Sequence, residues 1–169
     1  MSFNVGYTTT PSSSMGGGAP NYVLLEGPYT MPSTGALQSV SVYMAAGATG
    51  FVGVYDNTGS GGSGGNLIAT SASTVFGTGW VTASMTTNPT VSSGAVIWLA
   101  FLSTTAGYNV GADTSALSSY YEGGDSRTFL PATLGSQNVD IASQVAAIYA
   151  TFQPPVIPAN PFVNIWISQ

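Results

Sequence analysis

Between Ala36 and Met44 the chain reads Ala-Leu-Gln-Ser-Val-Ser-Val-Tyr-Met, which puts Val40, Val42 and Met44 on one side and Ser39 and Ser41 on the other. A period of two over this length fits a β-strand with one buried face and leaves no helical stripe. Gly50–Asp56, Leu67–Ser71 and Gly79–Met85 continue the pattern as predicted strands. The run Val96-Ile-Trp-Leu-Ala-Phe-Leu102 is apolar on both faces, which predicts a central strand covered on each side. Asn57–Gly65 is glycine-rich and predicts a mobile loop; no Gly-Lys-Ser/Thr ends it, so it is no phosphate cradle. Asp140–Phe152 fits either a helix capped by Asp140 or a strand over Ala147–Phe152, and the β-rich surroundings favour the strand. Glycines, Ser/Thr clusters and Asn88-Pro89 interrupt the strands at short intervals, the spacing of an all-β sandwich or barrel with little or no helix.

Charge sets the chemistry. Of 169 residues only seven are charged, namely Glu26, Asp56, Asp113, Glu122, Asp125, Asp140 and Arg127, and His and Cys are absent. No imidazole is present for a Ser-His or Cys-His nucleophile, and no thiolate or imidazole for zinc. One Arg and a net charge of −5 leave no basic footprint for nucleic acid. The longest apolar run, Ala95–Leu102, is far shorter than the ~20 residues of a membrane helix. With 22 Ser, 20 Thr and 22 Gly, the wetted surface is hydroxyl and backbone, and weak mutual repulsion suits a packed assembly. The first residues carry no basic and apolar export signal. The expectation is a virion or extracellular component whose partners are copies of itself or other particle proteins, without membrane insertion.

The succession Gln38-Ser-Val-Ser-Val-Tyr43, Gly53-Val-Tyr-Asp56, Leu67-Ile-Ala-Thr-Ser71, Gly79-Trp-Val-Thr82, Ser93–Phe101 and Ile148-Tyr-Ala-Thr-Phe152 resembles a group of jelly-roll β-sandwich domains similar to carbohydrate-binding modules. Such domains occur in secreted microbial proteins and phage particle proteins. The resemblance implies an antiparallel jelly-roll over residues 1–152, and it brings no catalytic set that maps onto this chain. Residues 153–169 lie beyond it.

Ser118–Arg127 concentrates three of the seven charges and two adjacent tyrosines. Tyrosine rings stack on sugar faces while carboxylates and guanidinium bond hydroxyls, so Tyr120, Tyr121, Glu122, Asp125 and Arg127 form a candidate glycan site. The competing reading is an Asp125–Arg127 loop pair with one tyrosine turned into the core. Glu122 and Asp125 are poor glycosidase carboxyls, because a Gly/Ser-rich loop does not fix their separation. Calcium is the one cofactor the composition allows, although no Asp-x-Asp-x-Asp run is present. Trp98 reads as core, and Trp80 as core with a stacking platform as its other role. In the tail, Pro154, Pro155, Pro158 and Pro161 favour an extended spacer. Phe162-Val-Asn-Ile-Trp-Ile-Ser168 then alternates as a strand, making Phe162, Val163, Ile165, Trp166 and Ile167 candidate assembly residues. Such a strand either closes the chain's own sandwich or completes a neighbour's sheet. The function expected from these features is a non-enzymatic virion or filament subunit, with a carbohydrate-binding adhesion module as the alternative.

Overall fold

The computed structural model describes residues 1–16, 22–59, 64–114, 119–122, 127–135, 139–141 and 143–156, with backbone alone for 119–122 and 139–141. The candidate assembly residues Phe162, Val163, Ile165, Trp166 and Ile167, and Asp125 of the candidate glycan site, lie outside the described residues.

Two antiparallel sheets pack face to face as a sandwich, and no helix occurs among the described residues. The strands are β1 (Phe3–Gly6), β2 (Ser13–Gly16), β3 (Val23–Thr30), β4 (Gly35–Ala46), β5 (Ala48–Asp56), β6 (Leu67–Thr70), β7 (Thr74–Phe76) and β8 (Gly79–Ser84). They continue with β9 (Thr90–Val91), β10 (Val96–Ser103), β11 (Asn109–Thr114), β12 (Ser119–Glu122), β13 (Val139–Ile141), β14 (Gln144–Ala146) and β15 (Ile148–Gln153). The first sheet runs β1-β15-β4-β11-β14, with β2 on β11 and β8 and β9 on β4; the second runs β13-β12-β3-β10-β5-β6, with β7 on β5. The chain crosses repeatedly between the sheets, so most strand pairings, apart from β5 with β6 and β7 and β12 with β13, join distant parts of the sequence.

The alternation in β4 does what its period requires. Val40, Val42 and Met44 are fully buried between the sheets, among Val54, Leu99, Phe101 and Phe152. Phe76 and Tyr108 both meet Phe101 edge-on, at centroid distances of 5.2 and 5.5 Å. Strand β10 is central between β3 and β5. Ile97, Leu99 and Phe101 face the inter-sheet core, while Trp98, Ala100 and Leu102 join a second cluster with Val23, Leu25, Tyr55, Leu130 and Leu134. Its cover is the segment Arg127–Gly135, which straps the outer face of the second sheet. Tyr55 Oη donates to Pro131 O at 2.7 Å, Leu67 N to Ala132 O at 2.9 Å, and Leu134 N to Gly65 O at 2.9 Å.

One expectation needs correction, and two details add to the sequence reading. Within Ser118–Arg127, expected as a flexible loop, Ser119–Glu122 is strand β12, held between β3 and β13 with Tyr120 opposite Leu25 and Tyr121 opposite Leu24. The nearby strand β3 contributes a full ladder edge, and that outweighs the local Gly/Ser bias. The ends of the glycine-rich stretch are pinned: the Asp56 carboxylate accepts from Thr58 N at 3.1 Å and Asn66 N at 2.8 Å, and Gly65 N donates to Asp56 O at 2.9 Å. Lastly, Ser41 is only 1% exposed, although it lies on the polar side of β4.

Candidate aromatic platform

The burial of Ser41 leads to the outer face of the first sheet. Tyr43 is in register with Trp80 on β8, and Ser41 with Thr82 on β8 and Tyr149 on β15. Residues 41 and 43 of β4, 80 and 82 of β8, and 149 of β15 therefore share the face turned away from the core. Trp80 sits between the two tyrosines, with ring centroids 5.6 Å from Tyr43 at 82° and 5.0 Å from Tyr149 at 58°. All three rings are partly exposed. Hydroxyls and amides fill the rest of the face. Ser41 and Thr82 share a hydrogen bond of 2.7 Å, Thr151 Oγ1 donates to Asn4 Oδ1 at 3.0 Å, and Ser39 and Ser84 lie one pleat further along.

One margin of this face is built by a second strap, Tyr7–Ser12, which joins β1 to β2. Tyr7 N donates to Ile148 O at 2.8 Å. Tyr7 Oη donates to Asp113 Oδ2 at 2.7 Å, and Ser12 donates to Asp113 Oδ1 through N at 2.8 Å and through Oγ at 2.7 Å. The hydrogen bond from Tyr7, then those from Ser12, hold the Asp113 carboxyl below the ordinary Asp value, and the same bond raises the Tyr7 phenol. Pro11 and the Tyr43 ring close over Gly111, where any Cβ would collide with both. Trp80 Nε1 makes a long contact of 3.4 Å with Thr10 Oγ1. Between Pro11–Ser14 on one side and Tyr43–Ala45 and Thr78–Gly79 on the other runs an open groove of about 670 Å³.

The sequence-derived glycan residues are placed elsewhere. Tyr120, Tyr121 and Glu122 lie in β12 of the second sheet, and Arg127 begins the strap on that sheet with its Nη1 atom shielded from solvent. Trp98, expected in the core, is 2% exposed and donates through Nε1 to Asn57 Oδ1 at 2.8 Å. Trp80, whose first reading was core, is instead partly exposed on the outer face of the first sheet. The signal that finds its partners is an aromatic among hydroxyls on the polar side of three strands: Tyr43 with Ser39 and Ser41, Trp80 with Thr82 and Ser84, Tyr149 with Thr151.

The described carboxylates with resolved side-chain contacts each have a structural task. Asp113 holds the first strap. Asp56 closes the β5–β6 turn: burial alone would raise its carboxyl, but hydrogen bonds from Thr58 and Asn66 outweigh this and lower it. Glu26, fully buried on β3, accepts from Ala146 N of the opposite sheet at 2.8 Å. Ala147 N donates to Gly111 O in the ladder, so the preceding amide points away from β11 and needs another acceptor. Among the described residues no group of three His, Cys, Asp or Glu side chains is placed to hold a metal. No protein-family model matches the chain, and no curated protein is similar to it.

Proposed function

We propose that the protein is a non-enzymatic jelly-roll module of a virion or extracellular filament that binds saccharides on the outer face of its first sheet. The observation that carries the binding reading is Trp80 set between Tyr43 and Tyr149 on a face otherwise lined by hydroxyls and amides. Aromatic faces offer apolar area to the C–H side of a sugar ring, and flanking hydroxyls exchange hydrogen bonds with its hydroxyls. Aromatic residues of this kind supply contact area at low cost in conformational entropy. The strand crossings between sheets support the jelly-roll reading, and the structural tasks of Glu26, Asp56 and Asp113 support a non-catalytic one. The assembly part rests on the surface chemistry, since seven charges in 169 residues give little repulsion between neighbouring copies.

A glycan array followed by calorimetry on the best ligand tests the binding face. Trp80→Ala is expected to weaken that ligand at least tenfold while circular dichroism stays unchanged. An array without a ligand, or a Trp80→Ala protein that binds as the parent does, refutes the platform.

A further inference from the structure

An open groove beside Trp80 is a feature that the platform does not use. It is continuous with the platform, because Tyr43 forms both its wall and one edge of the aromatic row, and Gly79 precedes Trp80. Its volume of about 670 Å³ falls inside the ~300–1,000 Å³ range of small-molecule sites. Its walls are set before any ligand arrives. Pro11 has a fixed φ and rests on Gly111, and three hydrogen bonds tie Tyr7 and Ser12 to Asp113.

Every residue lining the groove is uncharged, and Ser12, Ser13, Ser14 and Thr78 offer hydroxyls. The nearest described carboxylate, Asp113, is anionic and its two oxygens face Tyr7 and Ser12. The chain's one cationic side chain, Arg127, is on the strap of the opposite sheet. A carboxylated or sulfated sugar entering here would lose hydration and meet no counter-charge. A neutral sugar would meet hydroxyls that both donate and accept.

From this we infer that the groove is a second saccharide subsite, extending the Trp80 platform and selecting neutral oligosaccharides over acidic ones. It rests on the platform reading and adds to it chain length and charge. Cellohexaose, mannohexaose and maltohexaose, their disaccharides, and hexagalacturonate are the probes, titrated at low salt into the full chain. Ala45→Leu and Thr78→Leu, made separately at exposed positions, narrow the groove without touching the aromatic row. The expected result is a neutral hexasaccharide that binds at least tenfold more tightly than its disaccharide, with hexagalacturonate weaker than either. Either narrowing variant is expected to remove the advantage of length and leave the disaccharide affinity intact. A disaccharide that binds as tightly as its hexasaccharide overturns the subsite and leaves the platform standing. So does a length advantage that survives both variants, or hexagalacturonate binding on a par with the neutral chains. Absence of binding by every neutral probe overturns platform and subsite together.

Discussion

Leu102 tests whether the second sheet is covered on both faces. It is fully buried, in register with Val23 on β3 and Phe51 on β5, and it points away from the inter-sheet core toward the strap Arg127–Gly135. In a two-layer sandwich without that strap, Leu102 would face water, and Leu102→Ala would change stability by only about 0.5 kcal/mol. Within the buried cluster to which Leu130 and Leu134 also belong, the same substitution removes three buried carbons and leaves a cavity, a loss of about 2–5 kcal/mol. For a domain of this size that corresponds to a fall in Tm of roughly 4–20 °C. The total stability expected at this length is on the order of 8–25 kcal/mol, so the variant still folds. Phe101→Ala, one residue earlier and facing the inter-sheet core between Phe76 and Tyr108, is the reference, with an expected loss of about 3–5 kcal/mol. Urea unfolding followed by fluorescence and circular dichroism measures both. A Leu102→Ala protein within about 0.5 kcal/mol of the parent, beside a strongly destabilised Phe101→Ala, would refute the strap as a third layer.

Two further outcomes follow from the polar groups. Glu26→Leu leaves the Ala146 N–H without its acceptor between the sheets, an unsatisfied donor worth about 1–3 kcal/mol, whereas Glu26→Gln keeps a carbonyl oxygen there; in urea unfolding Leu should prove the more damaging, and a Leu variant as stable as the parent refutes the inter-sheet clamp. Tyr29 is raised well above the ordinary phenol value, by burial first and then by the charge of Glu26, and Tyr7 is raised by Asp113. The folded state thus holds protons that the unfolded chain releases above pH ~10, and stability should fall as pH rises past that value. Asp113 and Asp56 are lowered, so their contribution is present above the unfolded Asp value of ~3.9 and is lost as pH falls below it. Thermal scans across pH check both limbs: Tyr29→Phe should flatten the alkaline one, and a Tm that stays constant from pH 9 to 11 refutes that reading.

Several elements were legible because they depend only on period. Val40, Val42 and Met44 had to share a face, and Val96–Leu102 had to be covered twice. Strand β3 was not legible, since Glu26, Gly27 and Pro28 interrupt its pattern. The structure accommodates them with a register shift opposite Ile97 and Leu99 and with an acceptor role for Glu26 on the other sheet. Within Ser118–Arg127 the loop reading fails at Ser119–Glu122 for a related reason: a ladder edge offered by β3 recruits these four residues whatever the local composition favours.

By itself the sequence determined the β class, the faces of its clearest strands, and the exclusion of imidazole and thiolate chemistry. Period and composition are properties of one segment or of the whole inventory, and neither requires knowing a neighbour. Which residues become neighbours was decided only by the tertiary structure. Tyr43, Trp80 and Tyr149 come from three distant stretches and meet because β8 and β15 pair with opposite edges of β4. Leu130 and Leu134 cover β10 because strap and sheet exchange backbone hydrogen bonds across long separations. Those pairings are selected by the sandwich as a whole, since a strand's alternation says which side it buries and leaves open against whom.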